Sequence, residues 1–181
     1  MNTPSNTTDK ESVLVAVSLG SNLSHQDRRP QELVLSAMQS VSQIGSEPRL
    51  SSLYRSEPVD CPPGSGEFIN AGMLLHISAD VSAAALLGLL QGIEADFGRQ
   101  RSAQQNQSRT LDLDIISYGN QELESEDLIL PHPRALSRRF VLMPLAEIDA
   151  EFVLPGQGAS VAQLLASLPA GESVERLDDL G

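Results

Sequence analysis

Apolar positions along the chain fall into two kinds of run. Residues 13–19 (Val13-Leu14-Val15-Ala16-Val17-Ser18-Leu19) are apolar on both faces, which predicts a central strand, and Gly20-Ser21-Asn22 ends it. Pro30 suits a first helical turn and opens a helix predicted to reach Ile44; Val34, Met38 and Val41 step by four and three, and Gly45 stops it. Residues 49–56 predict a second strand. The stretch 57–66, with Pro58, Pro62, Pro63, Gly64 and Gly66, reads as a loop. A third strand follows at 68–77. The next helix has Asp80 as candidate cap and Leu86, Leu90, Ile93 and Phe97 as its apolar stripe, with Gly98 at its end. Residues 99–108 are polar and expected to be mobile. A fourth strand is predicted at 111–117, a turn at Gly119-Asn120, a short hairpin within 121–130 and a last helix at 160–168. The order β-α-β-β-α-β predicts an α+β fold with a ferredoxin-like core: a mostly antiparallel sheet with helices packed on it, plus C-terminal additions. Residues 12–169 are expected to form one domain, between a disordered tail at 1–11 and an acidic, frayed tail at 170–181.

Charge sharpens this picture. The 181 residues carry 12 Lys+Arg against 24 Asp+Glu, a formal −12, which disfavours nucleic acid and anionic membranes as partners. Residues 99–139 hold six arginines (99, 101, 109, 134, 138, 139) and six acids, so the remainder carries the whole deficit. Lys10 is the sole lysine and lies in the polar N-terminal stretch, which excludes a phosphate loop built on lysine. One cysteine, Cys61, excludes an internal disulfide framework. No apolar run is long enough to cross a membrane and none opens the chain as a signal peptide would, so a cytoplasmic location is expected.

The sharpest chemical signal is Arg109-Thr110-Leu111-Asp112-Leu113-Asp114-Ile115-Ile116. On a strand, Leu111, Leu113 and Ile115 share the core face while Asp112 and Asp114 share the other. Two acids on one strand face repel unless a cation lies between them, and oxygen ligands at that spacing suit Mg²⁺. A half-exposed strand with solvated aspartates is the plainer alternative. Arg99, Arg101 and Arg109 flank the polar segment just before this strand. They fit a multiply charged phosphate, although Arg99 and Arg101 also suit the negative end of the preceding helix. In Pro131-His132-Pro133-Arg134-Ala135-Leu136-Ser137-Arg138-Arg139-Phe140, His132 is placed to donate to phosphate, or is simply solvated.

Together these pieces resemble the 6-hydroxymethyl-7,8-dihydropterin pyrophosphokinase family over roughly residues 13–155. The blocks that carry the resemblance are Leu19-Gly20-Ser21-Asn22, Ser52-Leu53-Tyr54-Arg55-Ser56-Glu57-Pro58, Phe68-Ile69-Asn70-Ala71, Ile93-Glu94 with Gly98-Arg99-Gln100-Arg101, the aspartate strand, Pro131-His132-Pro133-Arg134, and Phe140 to Ile148. The resemblance implies transfer of the β,γ-pyrophosphoryl group of ATP to the pterin hydroxymethyl oxygen, with release of AMP, in folate biosynthesis. It implies two Mg²⁺ ions on Asp112 and Asp114, and catalytic roles for Arg99, Arg109, Asp112 and Asp114. ATP would be bound by Arg99, Arg101, Arg109, Ile115, His132 and Arg138. The pterin would lie between Phe68 and Phe140, with Asn70 at its edge and Ser56 nearby. A monomer acting on two small molecules is expected.

The sequence departs from the family before Arg109. Where the family usually has a basic residue, an aromatic and Gly-Pro, this chain has Gln105-Asn106-Gln107-Ser108, and it has no Trp. A pterin- or nucleotide-binding paralogue with little or no turnover is therefore a rival reading, as is another Mg²⁺-dependent phosphotransferase. The departure predicts weaker pterin binding: Asn106→Trp is expected to tighten it, and an unchanged affinity in a titration would refute that expectation.

Overall fold

The computed structural model of the chain describes residues 11–99 and 108–177. Among these the chain runs through β1 (Ser12–Ser21), α1 (Pro30–Ser42), β2 (Ser46–Leu50), β3 (Tyr54–Ser56), β4 (Phe68–Ser78), α2 (Ala83–Asp96), β5 (Asp112–Tyr118), β6 (Leu123–Glu124), β7 (Ile129–Leu130), a 3-10 turn at Ala135–Ser137, α3 (Arg139–Ile148), α4 (Val161–Ser167) and β8 (Val174–Arg176). The main sheet has the order β5-β1-β4-β3-β8, with β2 also on β4, and every pairing in it is antiparallel. That is the split β-α-β arrangement expected from the element order. β6 and β7 form a separate hairpin.

The alternation of β1 divides the core in two. Val15, Val17 and Leu19 face α1 and α2, where they meet Leu33, Val34, Ala37, Met38 and Val41 of α1 and Leu86 and Leu90 of α2. Ala16 faces the other way, with Leu74 and Ile116, against Val141, Leu142 and Leu145 of α3 and Val161 of α4. Each fully buried large side chain contributes roughly 1.5–3 kcal/mol, so both layers are needed to hold so thin a sheet. An extra residue in β5, between the pairs Val17–Ile115 and Ala16–Ser117, sets both Ile116 and Ser117 against Ala16 and returns Tyr118, opposite Val15, to the first face.

Four local expectations are corrected. The strand foreseen at 49–56 is two strands: from Leu50–Met73 to Tyr54–Asn70, four steps oppose three, and the Ser51 hydroxyl accepts the Gly72 N–H at 2.9 Å in place of regular pairing. The cap of α2 is Ser82, whose hydroxyl accepts from Ala85 N, because Asp80 lies in the preceding turn. The stretch after Pro169 is not wholly frayed, since 174–176 add an edge strand to β3. Helix α3 was not anticipated.

The fit of α3 to the sheet depends on Gly72. A Cβ there would stand 3.0 Å from Pro144 Cβ and 3.3 Å from Leu145 N. Gly72→Ala is expected to push α3 outward and cost about 1–3 kcal/mol. A urea midpoint unchanged from wild type would contradict this close approach.

Candidate active site

Strand register brings the site together on the second face of the sheet. Gly20 stands opposite Asp112 on one side and Asn70 on the other, and Asn70 stands opposite Tyr54. The next row pairs Asp114 with Ser18 and Ser18 with Gly72, and Phe68 pairs with Ser56. At about 5 Å per strand, Asp112 and Asn70 are about 10 Å apart across a residue with no side chain. A Cβ on Gly20 would sit 3.5 Å from Asn70 Oδ1 and 3.9 Å from Phe68 Cδ1, so glycine keeps the floor between the two halves open. Asn70 and Ser56 are buried, and Asn70 Nδ2 donates to Ser56 Oγ at 2.9 Å. That bond fixes the amide with Oδ1 over the Gly20 floor.

At the other end the carboxylates are held by arginines. Asp112 takes an ion pair from Arg99 Nη1 and another from Arg109 Nη1. Arg99 Nη1 also pairs with Glu94 and donates to the Leu111 carbonyl at 3.2 Å. Glu94 is buried in α2 and accepts the Leu113 N–H at 2.8 Å. Burial works against the charge of Arg99, but Asp112 and Glu94 outweigh it and raise its pKa. Asp114 is different: burial, then the charges of Asp112 and Glu94, push its carboxyl up to about 7. A cation between the two aspartates would relieve that repulsion. Oxygen-only donors fit Mg²⁺, which takes its other ligands from water and phosphate. Among the described residues no group of three or more His, Cys, Asp or Glu gathers that could hold a metal ion by itself.

Two further groups reach this end. The His132 N–H donates to the Ile116 carbonyl at 2.8 Å, anchoring its loop to β5. Its Nδ1 accepts from Arg134 N at 3.3 Å, so the neutral ring carries its proton on Nε2. Burial, with Arg138 and Arg134, pushes its pKa down to about 4, leaving a neutral donor at physiological pH. Arg138 precedes α3, feels the charges of Asp114, Asp60 and Asp112, and lies with its guanidinium carbon 5.4 Å from the centroid of the half-buried Phe140 ring.

Most of the anticipated residues therefore share one face. Ile115 does not: its side chain is buried in the core beneath α1 and α2, because alternation turns it away from Asp112 and Asp114. Arg101 and the departure at Gln105, Asn106 and Gln107 lie outside the described residues. Three residues given no role from sequence emerge here. Glu94 was legible, since the spacing Leu86, Leu90, Glu94 puts a carboxylate on the buried stripe. Asn22 accepts from Arg109 N at 2.8 Å and donates to Gly66 O at 3.4 Å and Ser108 Oγ at 3.2 Å, tying together the loops before β4 and β5. Glu147 accepts from Ser52 N, Ser52 Oγ and Tyr54 OH at 2.7–2.9 Å, joining the end of α3 to the sheet edge.

Paired acids and arginines at one end of a sheet face and an oriented amide at the other fit a group-transfer enzyme, and comparison narrows the class. Residues 16–150 match the family model described as 7,8-dihydro-6-hydroxymethylpterin-pyrophosphokinase (HPPK). The 2-amino-4-hydroxy-6-hydroxymethyldihydropteridine pyrophosphokinase of Haemophilus influenzae is 38% identical over 141 residues, covering 77% of this chain and 83% of that one. The protein of the same name from Pseudomonas aeruginosa is 37% identical over 166 residues, covering 90% and 96%. The solved structure of HPPK-DHPS from Plasmodium falciparum shares the fold, with a TM-score of 0.63 at 13% identity over 88% of this chain, which spans 45% of that longer one. The chain belongs to the 7,8-dihydro-6-hydroxymethylpterin-pyrophosphokinase family, and is an enzyme, a pyrophosphokinase of folate synthesis.

The raised pKa of Asp114 carries a sign. The folded chain binds this proton more tightly than the unfolded chain, so stability falls as pH rises from about 4 to about 7. In magnesium-free buffer, Asp114→Asn is expected to raise the melting temperature at pH 8 by about 2–4 °C and to leave it nearly unchanged at pH 4. Equal melting temperatures at pH 8 would show that Asp114 carries no such penalty.

Proposed function

We propose that the chain transfers the β,γ-pyrophosphoryl group of ATP to the hydroxymethyl oxygen of 6-hydroxymethyl-7,8-dihydropterin and releases AMP. The observation that supports this reading is the cross-strand row Asp112–Gly20–Asn70, which sets a cluster of acids and arginines and an oriented amide on one open floor.

The pterin end works by shape and by one oriented amide. Phe68 and Phe140 offer apolar faces to a flat ring, and Asn70 Oδ1 offers an acceptor to the ring's N–H edge because its Nδ2 is already engaged by Ser56. The phosphate end works by charge. Arg99, Arg109 and Arg138 supply forked donors to the triphosphate, joined by Arg101 from the neighbouring segment, and the neutral His132 supplies an Nε2 donor. Two Mg²⁺ ions held by Asp112 and Asp114 would neutralise the polyphosphate charge that otherwise resists attack.

The pterin hydroxymethyl oxygen attacks the β-phosphorus. The bond from that phosphorus to the oxygen shared with the α-phosphate breaks, its electron pair leaves with AMP, and the hydroxyl proton passes to water. Such transfers depend chiefly on positioning and charge stabilisation, which arginines on a rigid strand end supply. No residue is assigned as general base.

Incubation with ATP, Mg²⁺ and 6-hydroxymethyl-7,8-dihydropterin, followed by nucleotide analysis, tests this reading. AMP is expected to form in step with pterin consumed. ADP would mean that a single phosphoryl group moves, and binding of both ligands without turnover would favour the non-catalytic paralogue.

A further inference from the structure

Helix α3 begins at an electrostatic disadvantage. Its first residues are Arg138 at the cap and Arg139, both cations, at the end where the helix dipole is already positive, and its first turn contains no acid and no side-chain cap. The missing acceptor comes from far along the chain. Glu172 Oε2 accepts the Arg139 N–H at 2.8 Å. The Arg139 side chain in turn donates to the Leu168 and Pro169 carbonyls at 3.3 and 3.4 Å, where α4 ends.

The same segment grips the other end of the helix. Arg176 pairs with Glu147 Oε1 at 3.3 Å, and its Nε donates to Ser52 Oγ, which itself donates to Glu147. The lengths agree. From Glu172 to Arg176 an extended chain covers about 13 Å, and from Arg139 to Glu147 a helix covers about 12 Å. The charges agree too: acid meets the positive end of α3, and an arginine meets the acid near its negative end. Between these anchors the segment pairs with β3, Val174 opposite Ser56, and Ser173 O accepts from Glu57 N at 3.4 Å.

We infer that residues 172–176 are a strap that sets the distance between the two walls of the ring-binding slot. One wall is the sheet, with Ser56, Phe68 and Asn70. The other is the start of α3, with Arg138 and Phe140. The strap touches both, at Ser56–Glu57 and at Arg139, and it lies beyond the 16–150 span that the family model matches. Glu172 and Arg176 are positioning residues: they act through α3 and touch neither substrate. The inference rests on the pterin reading of this slot.

The test is steady-state kinetics on the full chain, with pterin and ATP varied separately. Glu172→Ala is expected to raise the pterin KM about three- to tenfold, in line with loss of a helix-cap contact, while the ATP KM and kcat change less than twofold. Glu172→Gln keeps an acceptor for Arg139 N and is expected to recover most of the affinity. Arg176→Ala, at an exposed position whose backbone pairing is retained, is expected to move the pterin KM in the same direction. An unchanged pterin KM in both alanine variants overturns the strap. So does a parallel rise of both KM values with a lower melting temperature, which marks a merely structural role. Wild-type protein that neither binds nor converts the pterin overturns the proposed function itself, and the strap with it.

Discussion

Everything at the carboxylate end of the site follows from one electrostatic constraint: two carboxylates on the same face of a strand, with a third buried behind them. Asp112, Asp114 and Glu94 would repel one another strongly in a half-buried setting. The fold answers with geometry. Arg99 leaves α2 one residue after Gly98, whose φ of +76° stops the helix, and a Cβ there would come within 2.3 Å of the His25 ring. Only glycine fits that corner, and the corner aims one guanidinium at Glu94, the Leu111 carbonyl and Asp112 at once. Arg109, fixed through its backbone by Asn22, closes on Asp112 from the other side. Asp114 keeps the larger share of the repulsion: burial, Asp112 and Glu94 hold it partly protonated near neutrality against the pull of Arg99 and Arg109.

The second constraint is that the site occupies a sheet face that must also be covered. A ferredoxin-like core buries one face under two helices and leaves the other open. Here α3 and α4 close part of that face through Leu142, Leu145 and Val161, and the rest remains as the floor of the site. Gly72 and Gly20 mark the two outcomes on neighbouring rows. At Gly72 the missing side chain lets a helix backbone approach the sheet. At Gly20 it leaves room above the sheet between Asn70 and Asp112. Covering and exposing the same face are thus decided by which helix lies over which glycine.

The core of this arrangement was legible because it is local. Period-two alternation put Asp112 and Asp114 together, and helical spacing found α1 and α2. Motif blocks carry the family resemblance and the roles it implies, which periodicity alone does not. Ile115 stands apart because alternation on the same strand turns its side chain into the core, which leaves only its backbone toward the face of Asp112 and Asp114. Helix α3 escaped because its apolar residues are interrupted by Pro144 and it starts with two arginines and no capping acid, so none of the usual start signals is present. Its cap lies 33 residues away, in Glu172. Long-range capping leaves no trace in a local window, and for the same reason β8 read as an acidic tail: a three-residue edge strand has too few positions to show a period.

The uneven charge of the chain bears on how a polyanion reaches this site at all. A net −12 would repel a nucleotide triphosphate if it acted as one uniform charge. At physiological ionic strength, however, the screening length is about 8 Å, so a phosphate entering the site feels only the groups beside it. Those groups are Arg99, Arg109, Arg138 and His132 set against Asp112, Asp114 and Glu94. Placing the surplus acids in the remainder of the chain keeps the protein well charged while residues 99–139 stay neutral in sum. The arginines cannot be replaced there by added charge elsewhere, because at that screening length a distant cation contributes almost nothing. Local pairing, not net charge, decides whether the site accepts an anion.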